Sequence, residues 1–126
     1  MPNDPNENGS SGLPRSQGRL NNARLKRVLA YIDDHLAEEI TVADLAEVAC
    51  LSIFHFARAF AATTGVSPLR YVGQRRLEVA KAMMATGEPS LSEIAFDCRF
   101  SSQSSFTRAF RRVTGITPAE YRRQLR

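Results

Sequence analysis

The chain has 126 residues, 43% of them hydrophobic and 24% charged, with 17 Lys and Arg against 13 Asp and Glu for a net charge of +4. That length fits one domain, no apolar run approaches the roughly 18 residues of a membrane span, and the charge bias is too small for a wholly disordered chain. No basic start leads into an apolar stretch, so no secretory signal is read and the expected compartment is the cytoplasm, while Cys50 and Cys98 are too few for a disulfide scaffold or, unless His35 and His55 join them, a four-ligand zinc site.

Residues 1–18 are rich in Asn, Ser, Gly and Pro and are expected to form a flexible tail, since they offer little apolar surface to offset the entropy of ordering. From there Leu25, Val28, Leu29, Ile32 and Leu36 recur at helical spacing, with Asp33, Asp34, Glu38 and Glu39 off the stripe. Thr41 with Asp44 three residues later has capping-box character and opens a short helix whose inward face is Leu45, Ala46 and Ala49. Ser52 caps a third helix that buries Phe56 and Phe60, one turn apart, and Thr64-Gly65 stops it, because Gly takes the left-handed conformation without a Cβ clash. Ser67-Pro68 starts a long fourth helix, with Val72, Leu77, Ala80 and Met84 as its stripe up to Gly87.

The pattern then begins again. Ser90 and Glu93 form a second capping box before Leu91, Ile94, Ala95 and Cys98. A shift of 49 carries Leu45 and Ala46 onto Ile94 and Ala95, and a shift of 50 carries Phe56, Arg58, Phe60, Gly65, Pro68 and Tyr71 onto Phe106, Arg108, Phe110, Gly115, Pro118 and Tyr121. One residue has therefore been inserted in the second turn. Each copy reads as short helix, tight turn, longer helix, Gly stop, then a hydroxyl cap and Pro, the layout of a helix-turn-helix. The expected fold is all-α with about seven helices: two homeodomain-like helix-turn-helix subdomains, at 19–66 and 87–126, joined by a long central helix at 67–86.

In such a unit the first helix braces the second, whose apolar side packs inward while the other side is offered to the major groove of DNA. At 100° per residue, Phe54 and Arg58 lie about 160° from the Phe56 and Phe60 row, with His55 and Ala57 on the flanks. In the second copy Ser104, Arg108 and Arg111 lie opposite Phe106 and Phe110, flanked by Ser105 and Thr107. An outward Phe54 reads either as a small extra core contact or as an apolar contact with a thymine methyl or sugar. Arg58 and Arg108 recur at one phase, and Arg bonds a guanine edge or clamps a phosphate equally well. Gln103 lies in the first turn of its helix, where a long amide reaches a base edge. His55 divides between a DNA contact and plain exposure, and His35 is expected at the surface.

Charge follows the second copy. Residues 1–18 and 19–66 each sum to −1, whereas residues 67–126 hold ten Arg and Lys81 against five acids and sum to +6. A polyanion partner, most often nucleic acid, accounts for such asymmetry, and Arg111 and Arg112 are candidate phosphate contacts. A helical adaptor whose basic half docks an acidic protein surface is the alternative. No nucleophile-base pairing, phosphate-cradling Gly loop or carboxylate pair supports catalysis, so no enzyme, metal or cofactor is expected. Cys50 and Cys98 read as small buried thiols near helix ends.

The segments ADLAEVACLSIFHFARAF, TTGVSPLRYVGQRRLEVAKAMM and LSEIAFDCRFSSQSSFTRAFRRVTGITPAEYRR together make residues 24–126 resemble the DNA-binding domain of the AraC/XylS family of bacterial transcription regulators. The resemblance implies that helices at 52–62 and 102–113 enter two successive major grooves of double-stranded DNA. It implies base or backbone contacts at Phe54, Ala57, Arg58, Gln103, Ser104, Ser105 and Arg108, and it matches Arg76, a further phosphate candidate, to the central-helix motif. The short matched length is similar to single-domain members that bind DNA as monomers. With about 108 residues committed to the two units, no small-molecule effector pocket is expected within this chain, an expectation that holds only if it is not a fragment of a longer regulator, and the expected function is control of transcription initiation on nucleoid DNA by recruiting or blocking RNA polymerase. Three departures stand out. The family commonly has Gly just before the Phe of the second turn, where this chain has Arg99, with Cys50 at the related place in the first; a left-handed residue there costs about 1 to 2 kcal/mol, and Arg99 becomes a possible phosphate contact. Ala57 replaces a position that is often polar, which leaves the first unit fewer donors.

Overall fold

The computed structural model describes residues 18–125, so the tail expected over 1–18 lies outside the described residues except for Gly18. Among the described residues there are seven helices and no strand: α1 Asn22–Asp34, α2 Val42–Val48, α3 Ile53–Thr64, α4 Pro68–Thr86, α5 Leu91–Asp97, α6 Gln103–Thr114 and α7 Pro118–Gln124. The all-α class read from the spacing is the class observed. No single helix among these residues is long and apolar enough to cross a membrane.

Local chemistry sets the helix ends. The Thr41 hydroxyl accepts from the Asp44 amide at 3.0 Å while Asp44 accepts from the Thr41 amide at 3.0 Å, and Ser90 with Glu93 and Thr117 with Glu120 repeat this reciprocal box. Ser52 and Ser102 cap α3 and α6 by accepting from the His55 and Ser105 amides. Both longer helices stop alike, at Gly65 with φ 87° and Gly115 with φ 88°. Just before each stop a threonine seals the turn: Thr64 donates to the Phe60 carbonyl at 2.9 Å and Thr114 to the Phe110 carbonyl at 2.8 Å.

The chain packs as two units. Of the described residues, one unit takes 18–34 with Thr41–Tyr71, and the other takes His35–Ile40 with 72–125, so α4 begins in the first and continues in the second. A length suited to one domain is thus divided, because each copy of the repeat closes a core of its own around a phenylalanine pair. In the first unit α1 packs on α2 and α2 on α3, burying Val28, Ile32, Leu45, Phe56 and Phe60 completely. Phe60 meets Phe56 and the edge of Tyr71 at centroid distances of 5.6 Å each. The Leu20 amide donates to the Thr63 hydroxyl at 2.9 Å, which ties the chain ahead of α1 to α3.

In the second unit Leu77, Ala80 and Met84 of α4 join Ile94, Ala95, Cys98, Phe106 and Phe110. Phe110 meets Phe106 at 5.8 Å and Tyr121 at 5.4 Å, the same aromatic ladder as in the first. Leu91 only flanks this core, and Leu36 falls in the turn after α1. His35, expected at the surface, is partly buried. Of the two thiols expected to be buried, Cys98 is and Cys50 is exposed, since Cys50 occupies the outer corner of the first helix-turn-helix turn.

Candidate nucleic-acid interface

Both turns pivot on a left-handed residue that is not glycine. Cys50 has φ 59° and Arg99 has φ 64°. The Cys50 amide bonds the Glu47 carbonyl and the Leu51 amide bonds Ala46; Arg99 to Phe96 and Phe100 to Ala95 repeat the pattern, each bond at 2.9 to 3.0 Å. Cys50 and Leu51 therefore correspond to Arg99 and Phe100, and the next matched pair is Ser52 with Ser102. The inserted residue is Ser101.

The turn sets the rotation of the helix that follows. On α3, Phe56, Ala59 and Phe60 are fully buried, which turns Phe54, His55 and Arg58 to solvent and leaves Ala57 half-buried. Phe54 is 81% exposed, which removes the reading of it as a core contact. Ile53 at the helix start is half exposed as well, so the first turn of α3 presents two apolar side chains. On α6, Phe106 and Phe110 face inward, while Gln103, Ser104, Arg108, Arg111 and Arg112 are exposed and Ser105 and Thr107 are half-buried. Gln103, Ser104, Thr107 and Arg108 line an open cleft of about 480 Å³.

Hydroxyls organise the start of α6. Ser105 lies 2.9 Å from the Ser101 hydroxyl, accepts from Ser102 at 3.2 Å and receives the Arg108 Nη2 at 3.4 Å. Ser105 thereby links the inserted Ser101 to the guanidinium of Arg108 one turn on. Arg58 has no such partner on its helix, because His55 stands where Ser105 does. Ser101 was not singled out from sequence; the break between shifts of 49 and 50 was the signal that marked its place.

Arg99 is exposed on the turn before α6. Arg76, a candidate phosphate contact, is engaged within the protein. Its Nε donates to the Leu36 carbonyl at 3.0 Å and its Nη2 to the Glu38 carbonyl at 2.7 Å, so the guanidinium pins the segment after α1 within the second unit. Burial lowers its pKa first, and the charge of Arg99 lowers it further. Among the described residues no group of three His, Cys, Asp or Glu is placed to hold a metal.

A family model for a helix-turn-helix domain matches residues 45–124. Over 100 residues the chain is 44% identical to the probable transcriptional regulator LumQ of Photobacterium leiognathi, covering 78% of this chain and 40% of that protein. It is 34% identical over 102 residues to the transcriptional activator RhaS of an Enterobacter strain, covering 81% of this chain and 37% of that protein. The chain thus spans about 40% of the length of the curated relatives it matches. Among solved structures it resembles a regulator of the AraC-type DNA-binding class from Chromobacterium violaceum, with a TM-score of 0.77, 26% identity and coverage of 82% and 92% of the two chains. It also resembles the DNA-binding domain of AdpA, solved with a target DNA, at a TM-score of 0.74, 35% identity and coverage of 80% and 91%. These relatives are transcriptional regulators and not enzymes, and with a family match running from α2 to α7 the chain belongs to the helix-turn-helix family of AraC-type transcriptional regulators.

Proposed function

We propose that the chain is a sequence-specific binder of double-stranded DNA that controls transcription initiation by placing α3 and α6 in successive major grooves. The observation that carries this reading is the repeat itself: two helices, each locked by a buried phenylalanine pair, offer Arg58 and Arg108 to solvent at one phase. Arg108, Gln103 and Ser104 read base edges, with Thr107 and Ser105 at the flank. Arg99, Arg111 and Arg112 neutralise phosphates and supply most of the electrostatic affinity. The first unit has fewer donors, so Phe54 contacts thymine methyls or sugars while His55, Ala57 and Arg58 fit the groove around it. The working divisions are the subdomains at 19–66 and 87–126 with the helix at 67–86 between them. The chain acts in the cytoplasm on nucleoid DNA, as a monomer on its site, with no small-molecule effector bound within the chain itself, and communicates with RNA polymerase.

Selection from random duplexes, followed by binding titrations in increasing salt, tests the reading. A preferred site of about two helical turns, affinity that falls steeply with salt, and a loss of about 1 to 3 kcal/mol for Arg108→Ala are expected. Binding without sequence preference, or without salt dependence, refutes it.

A further inference from the structure

The inserted Ser101 carries a proton that the protein itself does not use. Ser105 accepts from the Ser102 hydroxyl at 3.2 Å and from the Arg108 guanidinium at 3.4 Å. A serine oxygen has two lone pairs and one proton, so those bonds fill its acceptors and its own proton goes to Ser101, 2.9 Å away. Ser102 is committed as well, since it accepts from the Ser105 amide at 3.0 Å while donating to the Ser105 hydroxyl. Every donor along Arg108, Ser105 and Ser101 therefore points the same way, from a cation toward the turn. At the end of this chain the Ser101 hydroxyl is exposed, and no acceptor among the described residues takes its proton.

An acceptor outside the protein completes the chain, and reach selects which one. Ser101 lies one residue before the cap of α6, on the turn that also carries the exposed cation Arg99. A major groove is roughly 8.5 Å deep, so a short hydroxyl on the turn stops at the phosphate rim, while the longer Gln103 and Arg108 reach inward. We infer that Ser101 donates to a DNA phosphate oxygen, and that through Ser105 this backbone contact positions Arg108 for the base it reads. The inference rests on the proposed placement of α6 in the major groove. Donation to an anion makes the Ser101 oxygen a better acceptor, which strengthens the Ser105 bond and in turn its hold on Arg108. One phosphate thus governs selectivity as well as register. The first unit has no such chain, because it lacks the insertion and has His55 in place of Ser105.

The test uses the full chain on its selected duplex. Phosphates across the half-site of α6 are replaced one at a time by neutral methylphosphonates, and affinity is titrated for the parent, Ser101→Ala and Ser101→Thr. Ser101→Ala is expected to weaken specific binding about three- to tenfold, and one methylphosphonate to abolish that difference, so that the two losses do not multiply. On that same duplex the parent should lose preference at the base pair proposed for Arg108, as Ser101→Ala does on the unmodified one. Ser101→Thr keeps the hydroxyl and should behave as the parent. Non-specific affinity, set by charge, should stay within about twofold. Because Ser101 is exposed, the variants keep the fold, and helicity measured by circular dichroism checks this. Losses that multiply at every phosphate, or a base preference unmoved by any methylphosphonate, overturn the inference even where Ser101→Ala alone relaxes selectivity, since the serine then serves only to hold Ser105. A parent chain with no preferred duplex removes the groove reading itself.

Discussion

Replacing Arg99 by Gly is expected to stabilise the second unit. Arg99 has φ 64°, in the left-handed region where a Cβ crowds the carbonyl, at a cost of about 1 to 2 kcal/mol. Glycine removes that cost but gives the unfolded chain more freedom, which returns about 0.4 to 1 kcal/mol. The Arg99 charge also disfavours the protonated, partly buried Arg76, so its removal acts in the stabilising direction too. The net expectation is about 0.5 to 1 kcal/mol, or a rise in midpoint of about 2 to 8 °C for a unit of this size. Arg99→Ala separates the causes: it removes the charge and keeps the Cβ, so it should fall below Arg99→Gly by about 1 kcal/mol.

The measurement is urea and thermal unfolding followed by circular dichroism, with the denaturant slope checked for constancy. If Arg99→Gly unfolds at or below the temperature of the parent, or equals Arg99→Ala, the turn is not strained in the sense argued. DNA binding should move in the opposite direction. An arginine that touches phosphate takes about one unit of salt slope with it, so the more stable variant should bind more weakly at low salt.

Arg76→Met should cost about 1.5 to 3 kcal/mol of stability, because it leaves the Leu36 and Glu38 carbonyls without their charged donor, yet leave the salt slope of DNA binding unchanged. A reduced slope would restore a phosphate role. Ser101→Ala and Ser105→Ala should each relax selectivity at the base pair that Arg108 is proposed to read while preserving non-specific affinity, since they free a guanidinium that Ser105 helps to hold; selection profiles of the variants check this, and unchanged profiles oppose it. In the native protein a thiol reagent should label Cys50 rapidly and Cys98 only on unfolding. Burial first, then the Asp97 charge, raises the Cys98 pKa. The thiol therefore contributes stability that is complete below its unfolded value, about 8.5, and is lost as pH rises through the folded one. Cys98→Ala should remove that part of the alkaline decline, and an unchanged decline contradicts it.

Periodicity and capping chemistry made the fold legible, because both act within a few residues. Phe56, Phe60, Phe106 and Phe110 announce the buried faces, and once those are fixed, 100° per residue turns Phe54, Arg58 and Arg108 outward without further information. The carbonyl partners of Arg76 could not be read from the sequence, because they lie some forty residues earlier and a backbone acceptor leaves no mark on side-chain pattern. Cys50 was misread because thiols are usually buried, whereas its exposure follows from the turn geometry it occupies. The buried Ile94, Ala95 and Cys98 fix the phase of α5 as well, and the same rotation turns Phe96 outward.

The two copies share one scaffold and diverge where they face outward, which argues for unequal work. Four scaffold devices are duplicated: the capping boxes that open α2 and α5, the left-handed turn residues, the glycine stops and the aromatic ladders. Outside the scaffold, α3 presents Ile53 and Phe54, with Arg58 unsupported by any neighbouring hydroxyl, whereas α6 presents Gln103, Ser104 and an Arg108 held through Ser105. Apolar contacts tolerate small shifts, while hydrogen bonds to base edges demand fixed direction. If α3 and α6 read DNA as proposed, the second unit sets the register and the first adds affinity to a looser half-site. Exchange of Ser105 and His55 between the copies should accordingly reduce selectivity in the second unit more than it improves the first, because only the second has Ser101 to complete the network.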